Sequence, residues 1–129
     1  MEYLEGDIIY VQSDISSLID HMGIVVFIDG AKYIYHNTPD RFNEFGGSIC
    51  LDSLSTWLTN RKIVKIVHSG IDSYKIRSIS YQLRKEKYHF LLFNCEHYIE
   101  YIVRGVRSSR QLFNWFVFLA LGTMVVKAP

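Results

Sequence analysis

The stretch Phe93-Asn94-Cys95-Glu96-His97-Tyr98-Ile99-Glu100-Tyr101 combines a helix-start signal and a thiol in adjacent residues. Asn94 is a strong N-cap residue because its side-chain oxygen accepts from an orphan N–H of the first turn. Glu96 adds a carboxylate to that turn, so the pattern predicts a helix whose first residue is Cys95. A thiol placed there meets backbone N–H groups and the positive end of the helix dipole, both of which favour a thiolate. Ile99 and Ile102 follow Cys95 by four and seven positions on the same helix face, so the sulfur is expected to point into the domain. Two roles fit these residues, an activated nucleophile and an ordinary buried cysteine. What separates them is whether the rest of the chain supplies a base.

Upstream, Asp7 to Val11 predicts a first strand, and residues 12–20 a polar loop whose Leu18 and Ile19 are able to dip into a groove or a lipid surface. Residues 21–28 predict a second strand, Asp29-Gly30 a two-residue hairpin turn, and residues 32–36 a third strand. That register sets His36 opposite Gly23, two residues along the ladder from His21, so the two imidazoles can share one face. Residues 37–48 read as a turn-rich loop flanking the site, and residues 49–51 as a short strand. Asp52 is expected to cap a short helix through Trp57 and Leu58. Residues 61–67 alternate as a further strand. Asp72 or Ser73 then caps a helix to about Lys87 with Ile76, Ile79 and Leu83 as its stripe, and residues 88–93 connect tightly into the Asn94 cap.

The composition bounds the function. At 129 residues the chain is one domain large enough to bury a core without staples. It is 49% hydrophobic and 15% aromatic with a net charge of +1, which excludes wholesale nucleic-acid binding. Two cysteines, Cys50 and Cys95, make no disulfide framework, and the start Met1-Glu2-Tyr3-Leu4-Glu5 has no apolar h-region. The expectation is a reduced, cytoplasmic protein.

The C-terminal part changes character. Arg104, Arg107 and Arg110 recur every third residue, and residues 112–126 carry no charge. Fifteen helical residues rise about 22 Å, short of a hydrocarbon core of about 30 Å. A short or tilted anchor, an in-plane segment, a helix packed on a protein partner and a buried core helix all fit. Trp115 and the arginine collar favour membrane contact.

Asn94-Cys95-Glu96-His97-Tyr98, the upstream Gly6-Asp7-Ile8-Ile9, His21 opening a strand that ends in Asp29-Gly30, and His36 closing the next strand together resemble the lecithin:retinol acyltransferase-like family. That family includes the HRAS-like suppressor phospholipases and belongs to the permuted NlpC-type papain-like cysteine enzymes. The likeness runs over about residues 6–111. It implies an α+β fold, with a small antiparallel sheet packed against helices in a permuted papain-like arrangement. A catalytic domain would occupy residues 1–111 and a hydrophobic C-terminal helix residues 112–129.

Carried over by position, the resemblance implies Cys95 as nucleophile, His21 as the base that takes its proton and His36 as the polar residue that orients the His21 ring. It implies no cofactor and no metal. The activity implied is acyl transfer from a glycerophospholipid through a Cys95 thioester, to water as a phospholipase A or to an amine or hydroxyl as an acyltransferase. Such a protein works at a membrane surface. The chain departs from the family's pattern at Tyr98, at Met22-Gly23 and at Ile19. Two other classes stay open: a non-catalytic interaction module of the H-box/NC type, and a cysteine peptidase or amidase. His97 faces away from Cys95 and reads as a structural hydrogen-bonding residue, His68 and His89 as structural or surface residues. Cys50, with no basic neighbour in sequence, reads as packing. The ligand types of His21, His36 and Cys95 would suit zinc, but no metal-ligand spacing accompanies them.

Overall fold

The computed structural model describes residues 2–12, 20–106 and Val117. Alternating apolar residues build strands β1 (Asp7–Val11), β2 (His21–Ile28), β3 (Ala31–Asn37), β4 (Ile49–Ser53) and β5 (Ile63–His68). Helices α1 (Leu54–Leu58), α2 (Ser73–Gln82) and α3 (Cys95–Arg104) complete the described elements. The strands form one antiparallel sheet in the order β4-β3-β2-β1-β5, so the protein is an α+β domain. The β2–β3 hairpin turns at Asp29 and Gly30, with φ of 50° and 80°, the pair of positive values that matches the twist of the flanking strands. Gly23 pairs with His36 as the two-residue loop requires.

Because successive strand residues point to opposite faces, the sheet sorts its apolar side chains into two cores. Ile8, Met22, Ile24 and Val26 meet Ile76 of α2 and Tyr98, Ile99 and Ile102 of α3. Ile9, Val11, Val25 and Ile34 meet Leu54 and Trp57 on the other face, at α1. A hydrogen bond between the Ser80 hydroxyl and the Tyr98 phenol links α2 to α3 inside the first core. α3 ends at Gly105, whose φ of 73° closes the helix in a left-handed cap.

Several sequence expectations shift. Ser53, not Asp52, caps α1 through its hydroxyl, which accepts from the Thr56 N–H at 3.3 Å. Asp52 is the penultimate residue of β4, and its carboxylate is committed to other partners. Asp72 caps α2 as expected, but that helix ends at Gln82 instead of near Lys87, because the backbone tightens into the bonds Arg84 N–H to Tyr81 and Glu86 N–H to Leu83. Leu18, Ile19, Arg107, Arg110 and all of residues 112–129 except Val117 lie outside the described residues. No helix among the described residues is long and apolar enough to cross a membrane.

The loop after β3 is pinned to the segment after α2. Ser48 N–H donates to the Glu86 carbonyl at 2.9 Å and the Asn43 amide to the Arg84 carbonyl at 2.9 Å. A Cβ at Gly47 would stand 2.1 Å from that same Arg84 carbonyl oxygen. Gly47→Ala is therefore expected to cost about 3 kcal/mol, read as a lower urea midpoint at unchanged slope, whereas Gly30→Ser in the open hairpin turn costs only its backbone strain.

Candidate active site

The start of α3 is held in a reciprocal cap. The Asn94 side-chain oxygen accepts from His97 N–H at 3.0 Å, and His97 Nδ1 accepts from Asn94 N–H at 2.9 Å. An imidazole here does what Glu or Gln usually does in a capping box, and it must be bare at Nδ1 to do so. The cap itself is carried by Asn37, the last residue of β3 and fully buried. Its amide nitrogen donates to the carbonyls of Phe93 and Asn94 at 3.0 and 3.1 Å, while its oxygen accepts from the Ser48 hydroxyl at 2.5 Å. The end of the hairpin thereby grips the chain just ahead of Cys95.

Cys95 is the first residue of α3 and only 3% exposed. Its Sγ donates toward the Asp20 carbonyl at 3.7 Å, and the Met22 N–H also points at the sulfur. Those two backbone groups bracket His21, so the thiol lies against the main chain of that residue. The His21 ring leaves the strand in the opposite sense to Met22. It packs edge-on to His36 at 5.6 Å between centroids, and against Trp57 at 5.8 Å, on the α1 face. The structure thus brings His21 and His36 together and brings Cys95 to the backbone of His21. Among the described residues no hydrogen bond joins the Cys95 thiol to the His21 ring.

The electrostatics run against an ion pair in this packing. Burial pushes the Cys95 thiol up to about 12, with the Glu96 carboxylate adding to it and the N–H groups of Met22, Glu96 and Cys95 opposing. The helix start was expected to favour a thiolate; desolvation outweighs it here. Burial likewise lowers His21 to about 3, helped by the charges of His36 and Arg61. His36 is lowered by burial too, although Asp52 pulls the other way. Both rings are neutral at neutral pH.

The partner of His36 was not foreseen. Its Nε2 lies 2.7 Å from Asp52 Oδ2, and Arg41 closes on both carboxylate oxygens at 2.9 and 2.8 Å. Burial raises the Asp52 carboxyl, but His36 and Arg41 together outweigh it and hold the group below its ordinary value. An ionised Asp52 accepts only, so His36 carries its proton on Nε2 and presents Nδ1 as a bare lone pair, buried with no partner among the described residues. The Arg41 guanidinium also reaches the Cys50 thiol, so the expectation that Cys50 lacks a basic neighbour is corrected: β4 sets Cys50 directly across from His36. These contacts depend on the β3–β4 register, which no local signal in residues 37–52 specifies.

The remaining histidines take structural places. His97 serves the cap; His68 Nδ1 meets the buried Asp7 carboxylate at 2.5 Å; His89 Nδ1 accepts from the N–H groups of Leu91 and Leu92. Among the described residues no group of three or more His, Cys, Asp or Glu is arranged to hold a metal ion. No protein-family model, no curated protein and no solved structure matches this chain.

Two outcomes follow from these contacts. Asn37→Ala takes one of two donors from the carbonyls of Phe93 and Asn94, which keep the N–H groups of His89 and Tyr98, and removes the short acceptor of the buried Ser48 hydroxyl. It is expected to cost about 2 kcal/mol in urea unfolding, more than Asn43→Ala in its partly exposed loop. For His21 the folded value of about 3 lies below the ordinary 6.5, so the unfolded chain binds the extra proton between those values. Its contribution to stability is complete above pH 6.5 and is lost as the pH falls toward 3. The loss approaches about 1.4 kcal/mol per pH unit in that window. Urea midpoints measured from pH 7 to pH 4 should fall less steeply for His21→Gln than for the unaltered protein.

Proposed function

We propose that the protein is a thiol-dependent acyl-transfer enzyme that takes an acyl group from a glycerophospholipid onto Cys95 and passes it to water, an amine or a hydroxyl. One observation carries this reading: the sulfur heads a doubly capped helix and lies on the two backbone groups that bracket His21. The resemblance in the Asn94-Cys95-Glu96-His97 block supports the same chemistry, as does the antiparallel sheet with a Cys-headed helix against it. The finer arrangement, a permuted papain-like fold continued by an apolar C-terminal helix over residues 112–129, belongs to this proposal. So does attachment at the cytoplasmic face of a membrane.

In the proposed first step the His21 ring leaves Trp57 and moves to the sulfur, which lies against the backbone of that same residue. The ring has to move, because burial opposes the thiolate and the imidazolium alike in the closed packing. A neutral ring is the form able to accept the proton. The thiolate then attacks the ester carbonyl carbon, forming a C–S bond, and the Cys95 N–H faces the developing oxyanion. Collapse breaks the C–O bond, His21 returns its proton to the departing alcohol, and a thioester remains. Water or an amine, giving its proton to His21, attacks the thioester and restores the thiol. His36, turned by Asp52 so that Nδ1 is bare, can accept from the His21 ring and orient it.

A second reading has an observation in its favour. A buried, neutral thiol with no hydrogen bond to an imidazole among the described residues suits a non-catalytic H-box/NC-type module that works through protein partners.

Incubation with a defined phosphatidylcholine, with and without an added primary amine, separates the two. Acyl transfer predicts a hydroxylamine-sensitive mass increase of one acyl chain on Cys95 and release of lysolipid. Cys95→Ser abolishes both, and His21→Gln slows lysolipid release at least about 100-fold. Unmodified Cys95 and intact lipid after prolonged incubation would leave the interaction module; cleavage of a peptide substrate instead would point to peptidase chemistry.

A further inference from the structure

Residues 88–93 lead directly into the Asn94 cap, and their tip is apolar. Phe90, Leu91 and Leu92 are 46%, 46% and 69% exposed, while Phe93 beside them is 3% exposed and anchored in the core. Single exposed apolar residues are ordinary on a soluble domain; three large ones in succession at a turn are not. The turn is also braced from within. His89 N–H donates to the Phe93 carbonyl at 2.9 Å and Phe93 N–H to the His89 carbonyl at 2.8 Å. Leu91 and Leu92 N–H groups donate to His89 Nδ1 at 3.2 and 3.1 Å, and the Asn94 amide donates to the Phe90 carbonyl at 3.0 Å. Bonding several of the turn's backbone groups internally lowers the cost of taking it out of water, and its apolar side chains gain by leaving. Just upstream, Lys85 and Lys87 are exposed.

We infer that the 90–92 turn is a lipid-insertion wedge that seats the protein on a bilayer containing anionic lipid, with the start of α3 at the level of the glycerol esters. The lysines match anionic headgroups, and the apolar tip matches the acyl boundary below them. Two residues lie between Leu92 and Cys95, a reach of at most about 11 Å. An interfacial segment enters by roughly 5–10 Å, so a seated wedge holds the thiol close to the headgroup boundary. Asn37 makes that coupling rigid, since it binds the carbonyls between tip and thiol. What the wedge is for rests on the acyl-transfer reading; the lipid contact itself needs no chemistry.

The test therefore uses the full chain with Cys95→Ser. An environment-sensitive NBD label is placed by Leu92→Cys, and in a control protein by Thr59→Cys at the end of α1. Cys50, 5% exposed, sets the labelling background, recorded on Cys95→Ser alone. With vesicles of phosphatidylcholine containing about one-fifth phosphatidylserine, emission from residue 92 is expected to shift to the blue and to be quenched by doxyl-labelled lipid, with residue 59 unchanged. Emission from residue 92 that stays at its aqueous wavelength overturns the wedge, whether the protein fails to bind or binds through another segment. Because the nucleophile is absent, neither result depends on whether the protein transfers acyl groups.

Discussion

The side chain of Asn37 is the joint on which the site depends. It closes strand β3, yet its amide reaches across to the carbonyls of Phe93 and Asn94, and its oxygen is taken up by Ser48. Without it the hairpin and α3 would be joined mainly by apolar contact, which has no directional preference, and by the weak bonds of the Cys95 thiol. With it, the first turn of α3 has one position relative to the end of β2. Cys95, the next residue, then falls against Asp20 and Met22 at the start of β2.

A second constraint lies on the other face of the sheet. Burial keeps both imidazoles neutral even though His36 is hydrogen-bonded to the ionised Asp52, and the Asp52–Arg41 pair decides which nitrogen of His36 carries the proton. The carboxylate is stabilised by the guanidinium, so its effect on His36 is to orient the ring and fix its tautomer without charging it. Trp57 fills the space beside both rings, and the Arg61 guanidinium lies 4.9 Å over the Trp57 ring. The burial that keeps the imidazoles uncharged also raises the Cys95 thiol above its ordinary value. Desolvation dominates both, and any chemistry here must begin with a movement that readmits polarity.

The elements follow from local causes that the sequence displays. Alternation places β1 and β2 at the bounds they adopt, Asp29-Gly30 sets the hairpin register that puts His36 opposite Gly23, and Asn94 starts α3 at Cys95. Where the expectation missed, the signal was ambiguous: Asp52 and Ser53 are both good caps, and only pairing with β3 commits Asp52 to the strand and to His36. α2 stops at Gln82 with neither glycine nor proline there to mark it.

By itself the amino-acid order determined the hairpin with its two imidazoles two residues apart along the ladder and a capped helix headed by a thiol, because turn chemistry, capping and periodicity act over a few residues. Only the tertiary structure decided how those groups face one another. The face that the His21 ring takes, the grip of Asn37 on α3, the tie of Asp52 to His36 and the suppression of the thiolate arise between residues distant in sequence, through burial and register. Desolvation is a property of the assembled interior, and no short stretch of sequence carries it.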